Sequence, residues 1–360
     1  MKCVIFINSL LGLMTAIQIR ETMYRNCKFD IIMSDMVPEL KAIYENNVLN
    51  EKFSNVKFIE YRKIKKNEKL LFFISPDLYM RKMLGGDFED YTDIFFWNPT
   101  LLLHSCLIYL DANKRSYALH VYGDALGSYV TDCPSDHEHF RNEKLNMLVA
   151  HVKGFRFVED MDYDYYVFSQ KFISFDTKRT IVEIPKIKDE LICYYNRLFL
   201  YNNRNAHIEN RIIFMDKQHD DQFANTDFGL EVIKEIIAVV GSHELIVKPH
   251  PRQNLEIYAD YINILQNVIP WELYCLNNNI SDKVIISYGS TALYMPYIFD
   301  DRQKYTMINF KIGSSFETIF EKEYEEFVEK MKVANPNFYE VENISQFKEI
   351  LENIICLRDK

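Results

Sequence analysis

Residues Leu245-Ile246-Val247-Lys248-Pro249-His250-Pro251-Arg252 set a histidine between two prolines at the end of an apolar run. An imidazole can donate to a phosphate oxygen or carry a proton near neutral pH. Lys248 and Arg252 flank it with positive charge. Pro249 and Pro251 fix their own φ and keep the residue before each extended, so His250 is expected as a presented side chain. The run Leu245–Val247 has the composition of a buried parallel strand. A strand that stops so abruptly puts His250 at a carboxyl edge, where open α/β sheets bind ligands. The chemistry suggested is a histidine facing a phosphate. The competing reading is a turn residue or a satisfied core group.

Three further motifs share this placement at strand ends. Tyr122-Gly123-Asp124-Ala125-Leu126-Gly127 follows the strand-like Tyr117–Val121. It offers one carboxylate, Asp124, among small residues that let a sugar approach, Gly127 included. An aspartate bonding its own turn is the plainer alternative. Ile269-Pro270-Trp271-Glu272-Leu273 reads as a proline-introduced strand, with Glu272 near its start as an acceptor for two ribose hydroxyls. Ile286-Ser287-Tyr288-Gly289-Ser290-Thr291 reads as strand, glycine turn and helix start. Hydroxyls and free N–H groups at such a helix start favour phosphate, although capping alone accounts for one of the two hydroxyls.

Other clusters carry less. Asp136-His137-Glu138-His139 does not put both histidines on one helix face and reads as a polar loop. Asp160-Met161-Asp162-Tyr163-Asp164 has Asp-x-Asp spacing but precedes its strand, so no metal ligand set is expected. His219-Asp220-Asp221 reads as a loop. The opening turn Asn8-Ser9 joins a strand, residues 3–7, to a helix from Leu10 to about Tyr24; Gly12 stands alone there, which is no dinucleotide fingerprint.

The elements that must hold these residues alternate. Strand-like runs fall at Asp30–Ser34, Val56–Tyr61, Asp93–Trp97, Tyr117–Tyr122 and Tyr165–Phe168, and after a polar stretch at Asn202–Asn205 a second series begins. In it Arg211–Met215, Glu244–Lys248, Trp271–Leu276, Lys283–Ser287 and Lys304–Asn309 are expected as strands. Phe228–Val240, Leu255–Gln266, Thr291–Phe299, Phe316–Lys332 and Ile344–Leu357 are expected as helices. Such alternation makes parallel sheets. The expected architecture is α/β, two Rossmann-like doubly wound domains facing across a cleft, the GT-B arrangement. The expected domains are 1–205 and 206–360, with the last helix returning to the first.

At 360 residues the chain exceeds what one core usually serves. A formal net charge of −10 argues against nucleic acid as a partner. Seven dispersed cysteines without a Cys-x-x-Cys pair suggest reduced thiols in the cytoplasm. The first residues are too short an apolar run for a signal-peptide core, and nothing approaches a membrane span. Contact with the inner face of the membrane would be peripheral.

The order of the Asp-containing glycine-rich motif, His-Pro, Pro-x-Glu and the Ser/Thr pair resembles bacterial sialyltransferases of glycosyltransferase family 52 and related polysialyltransferases. The similarity extends to the opening Phe6-Ile7-Asn8-Ser9-Leu10-Leu11 through Ala16-Ile17-Gln18. The resemblance implies an inverting transfer of sialic acid from CMP-sialic acid to a sugar, galactose by preference, of a cell-surface glycan, with no metal or other cofactor. It implies Asp124 as general base and His250 on the departing phosphate. Glu272 would hold the ribose, and Ser290 and Thr291 the phosphate, while Lys248, Arg252, Asn8, Ser9 and Gly127 line the substrate. In the family motif two acids precede a glycine; here Gly123 and Ala125 replace the first acid and that glycine. Two alternatives stay open: another nucleotide-sugar donor on the same fold, or a glycan- or nucleotide-binding relative with weakened chemistry. A homodimer is compatible with the sequence.

Overall fold

The computed structural model describes residues 1–60, 63, 71, 74–84, 91–123, 125–132, 156, 158, 161–201, 208–216, 226–250, 255–258, 263–265, 269–311 and 320–358. Asp124, Arg252, Pro251, the Asn202–Asn205 stretch, the 136–139 cluster and His219-Asp220-Asp221 lie outside these residues. The chain divides into two compact units. The first holds 1–170, 175–187 and 197–199; the second holds 171–174, 188–196 and 200–360.

The first unit is built on a seven-stranded sheet. Its strands are β1 Lys2–Ile7, β2 Lys28–Ser34, β3 Asn55–Ile59, β4 Asp93–Phe96, β5 Ala118–Tyr122, β6 Asp164–Val167 and β7 Ile181–Glu183. All pairs are parallel, in the order β3-β2-β1-β4-β5-β6-β7. Cys3 to Ile7 are buried without alternation, which a strand covered on both faces requires. Helix α1, Leu10–Thr22, starts at Ser9, whose hydroxyl accepts from Gly12 N at 2.8 Å. It also holds α2 Glu39–Glu45, α3 Pro76–Leu84, α4 Leu101–Ala112 and the single turn α5 Gly127–Val130; α6 Asp189–Leu198 lies in the second unit through residue 196.

The second unit has six parallel strands: β8 Ile212–Met215, β9 Leu245–Lys248, β10 Asn263–Ile264, β11 Val284–Ser287, β12 Thr306–Phe310 and β13 Phe338–Val341. Their order is β10-β9-β8-β11-β12-β13. In both units the first strand is central and the chain reverses direction beside it, the doubly wound pattern. Helix α7, Thr226–Val240, covers the sheet with Val232, Ile233 and Ile236 in the core. The second unit also contains α8 Trp271–Asn277, α9 Met295–Phe299, α10 Glu321–Ala334 and α11 Ile344–Arg358. The last helix, α11, buries Phe347, Leu351 and Ile354 in this same core. Two early segments belong here as well. Phe172 meets Tyr297 edge-on and Phe327 at a tilt, and Asn196 exchanges two side-chain hydrogen bonds with Asn277 at 2.7 and 2.8 Å.

Several expected elements are corrected. Trp271–Leu276 is helical, because its apolar residues are buried all round and such a run has no period to separate strand from helix. Leu255–Gln266 forms a 3-10 turn at Leu255–Tyr258 and then the short β10. Thr291–Phe299 splits into a 3-10 turn, Thr291–Leu293, and α9, where Pro296 lacks the N–H that a continuous helix would use. Strands β7 and β13 are additions.

Candidate functional site

Register fixes the level at which the candidate residues emerge. Lys248 of β9 lies opposite Met215 of β8, Met215 opposite Ser287 of β11, and Ser287 opposite Asn309 of β12. One row of residues therefore marks the carboxyl edge of the second sheet. Beyond that row the chain turns out as Asp216, as Pro249-His250 and as Tyr288-Gly289-Ser290-Thr291. The switch point between β8 and β11 lies inside this group, where doubly wound sheets leave a crevice for a ligand.

The glycine turn is held from beneath. Gly289 has φ 74°, a left-handed conformation that an L side chain rarely adopts. Its N–H donates to Asn309 Oδ1 at 3.3 Å, and Asn309 Nδ2 donates to Tyr324 Oη at 3.1 Å. Ser290 N donates to Ser287 Oγ at 3.3 Å, and Ser287 Oγ donates to Met215 O at 3.2 Å. Ser290 Oγ accepts from Ala292 N at 3.3 Å, so this hydroxyl does cap the turn that follows. Thr291, half-buried, is the first residue of that turn. His250 is half-buried, and Pro249 before it is buried.

Glu272 stands in the first turn of α8, buried, and within electrostatic reach of Lys248. Burial pushes its carboxyl up, opposed by its own backbone N–H and by the Lys248 ammonium. Burial likewise pushes Lys248 down, opposed by Glu272. For both groups loss of water outweighs their mutual attraction. The fold thus brings Lys248 and Glu272 together and sets Lys248, His250, Ser290 and Thr291 on one sheet edge.

Sequence reading missed Asp216, the residue directly after β8. It is 4% exposed, and its carboxylate accepts from Tyr258 Oη and from Tyr288 Oη. The available signal was its place after an apolar strand at the switch point, but the sequence does not show which tyrosines reach it.

In the first unit the carboxyl edge carries Asn8, Ser9, Gly123 and Gly127. Asn8 Oδ1 accepts from Ser34 Oγ at 2.9 Å, which joins the ends of β1 and β2. Ser9 is engaged as the α1 cap. Gly127 opens α5, and its carbonyl accepts from Thr131 N at 3.1 Å. Gly123 has a steric reason: a Cβ there would stand 2.8 Å from Ser128 Cβ and 3.0 Å from its Oγ. A second acid does not fit at 123 while Ser128 follows.

Across the amino side of the same sheet runs another buried polar group. Asp30 accepts from Tyr91 Oη at 2.8 Å and Asn55 Nδ2 at 3.0 Å, and pairs with Lys2 at 3.3 Å. His120 Nε2 contacts Asp93 Oδ1 at 3.1 Å, and the His120 ring stacks on Phe95 at 4.4 Å. Its position, at the amino side away from the carboxyl edge, marks it as internal bracing. Among the described residues no three His, Cys, Asp or Glu side chains converge as a metal site, and no helix is long and apolar enough to cross a membrane.

No family model matches the chain, and no curated protein matches its sequence. Solved structures do match in fold. An alpha/beta-galactoside alpha-2,3-sialyltransferase from Photobacterium phosphoreum superposes with a TM-score of 0.54 at 12% identity, covering 94% of this chain and 98% of that one. A glycosyltransferase crystallised with dTDP gives 0.53 at 8% identity, covering 99% and 91%. A glycosyltransferase from Streptomyces nogalater gives 0.51 at 8% identity, covering 98% and 91%. At such identities the likeness concerns the fold, which is GT-B.

Proposed function

We propose that the protein is an inverting, metal-independent sialyltransferase that takes sialic acid from CMP-sialic acid to a terminal sugar of a glycan. The observation that carries this reading is the convergence of Lys248, His250, Ser290 and Thr291 on the switch-point edge of the second sheet, with Glu272 beside Lys248. Donors on that edge can neutralise the monophosphate that leaves as its bond to the anomeric carbon breaks. His250 donates to a phosphate oxygen; Glu272 accepts from the ribose hydroxyls. Asp124 takes the proton of the acceptor hydroxyl as the new glycosidic bond forms on the opposite face, inverting the anomeric carbon. A whole-chain fold likeness to a sialyltransferase is in keeping with this assignment.

A second reading keeps the fold and changes the donor, favoured by neighbours of equal likeness, one of them crystallised with dTDP. Incubation with CMP-sialic acid and labelled lactose, followed by product mass and linkage analysis, separates the two. A sialyllactose product that disappears in Asp124→Asn supports the proposal. Absence of product, with hydrolysis or transfer from a UDP- or dTDP-sugar, overturns it.

A further inference from the structure

We infer that Asp216 is a positioning residue of the nucleotide site, holding the end of β9, from which Pro249-His250 follows, and the Gly289–Ser290 turn in one arrangement across the switch point. The inference rests on the nucleotide-sugar reading above. Asp216 reaches both segments at once. Its backbone N–H donates to Lys248 O at 3.1 Å, just before Pro249-His250. One carboxylate oxygen accepts from Tyr258, in the turn Leu255–Tyr258; the other accepts from Tyr288, next to Gly289. The strand ends are fastened again by Ser287 Oγ to Met215 O at 3.2 Å.

Stability alone gives little reason for this arrangement. A carboxylate that is 4% exposed loses its water, and apolar side chains of similar volume would fill the space at no greater cost. What the carboxylate adds is direction: two O–H donors from two different loops must meet one acceptor plane. The Tyr258 phenol is pushed well above its ordinary range, by burial first and the Asp216 charge next, so it remains a donor. A separate observation shows the packing shaped around this pair. Gly229 lies within α7, where glycine is unfavourable, and a Cβ there would stand 3.1 Å from Tyr288 Oη and 3.2 Å from Asp216 Oδ1. The helix accepts a glycine to lie against the Asp216–Tyr288 contact.

The test is nucleotide affinity, by calorimetry with CMP, UDP and dTDP, for the wild type and for Asp216→Asn, Tyr258→Phe, Tyr288→Phe and Gly229→Ala. Melting curves of each variant accompany the titrations. We expect Asp216→Asn to weaken the best-bound nucleotide by roughly tenfold to a hundredfold, the usual scale when a supporting residue lets a binding group move. Added to His250→Ala or Ser290→Ala, the same change should cost much less than it does alone, since its effect passes through those loops. Gly229→Ala should weaken binding even though it improves the helix. If Asp216→Asn does not fold, the two tyrosine variants, each lacking one hydroxyl, carry the test. A folded Asp216→Asn or Tyr288→Phe with lowered melting temperature but wild-type affinity makes the cluster mere packing and overturns the inference. UDP or dTDP preference with affinity still sensitive to Asp216 overturns the CMP reading and keeps the inference. A wild type that binds no nucleotide overturns both.

Discussion

His250 is where a single side chain is asked to do the most. Removing a donor from a leaving phosphate costs on the order of 3 kcal/mol in the barrier, so His250→Ala should turn over about a hundredfold more slowly while melting close to the wild type. Turnover at the wild-type rate in a folded variant would take His250 out of the mechanism. Gly123 makes the opposite kind of demand. Gly123→Asp should not improve catalysis, because its Cβ meets Ser128 Cβ at 2.8 Å. The expected result is a loss of about 1–3 kcal/mol in denaturant unfolding, the usual cost of overpacking. Asp93 shows how the bracing responds to acid. Burial pushes its carboxyl up, but hydrogen bonds from His120 and Thr92 outweigh that and hold it below its ordinary 3.8. A carboxyl that binds its proton less tightly when folded adds stability above its unfolded pKa and loses it as pH falls through the folded one. The stability gap between wild type and Asp93→Asn should therefore be constant above about pH 5 and shrink below about pH 4. Equal gaps across that window in urea titrations would show that the shift contributes nothing.

At the level of elements, the Gly289–Thr291 turn depends on a residue outside its motif. Asn309, fully buried on β12, accepts from Gly289 N–H and donates to Tyr324. Asn309→Ala leaves these groups without that partner, and should destabilise by about 2–3 kcal/mol. It should also weaken nucleotide binding, because Gly289 is then free to leave its left-handed conformation. A variant as stable as the wild type would show that the turn is set by its own sequence. The change of Trp271–Asn277 from expected strand to observed helix belongs at this scale too. The helix buries Trp271 and Tyr274 as a stacked pair, rings 5.2 Å apart and 7° from parallel.

For the whole molecule, Lys248, His250, Glu272, Ser290 and Thr291 belong to one unit and the glycine-rich Asp124 motif to the other in sequence. Ligand linkage should follow that division. CMP, without added divalent metal, should raise the melting temperature more than UDP does, by an amount that grows with its concentration as binding to the native state demands. Asp124→Asn should leave that shift intact while transfer falls by about two orders of magnitude. A shift that needs manganese, or one larger with UDP, would remove the metal-free or the CMP part of the proposal.

Alternation of apolar runs and turn residues determined the two doubly wound units, since buried parallel strands need unbroken apolar stretches and their crossovers need helices. Local chemistry likewise determined that Lys248 ends a strand and that His250, Ser290 and Thr291 follow strands: prolines and glycine interrupt the ladder at these points. Other features lay beyond the local pattern. Trp271–Leu276 has no period, so only its packing made it a helix. Phe172 and Asn196 joined the second unit because their partners, Tyr297, Phe327 and Asn277, come from residues far along the chain. Asp216 is the clearest case. Its identity as an aspartate after a strand is local, but its meaning comes from Tyr258 and Tyr288, and from a glycine in α7 that lets the helix lie against them. Hydrogen bonds between residues distant in sequence leave no periodic trace; only the tertiary structure, by closing the sheet in its particular strand order, decides which donors meet which carboxylate.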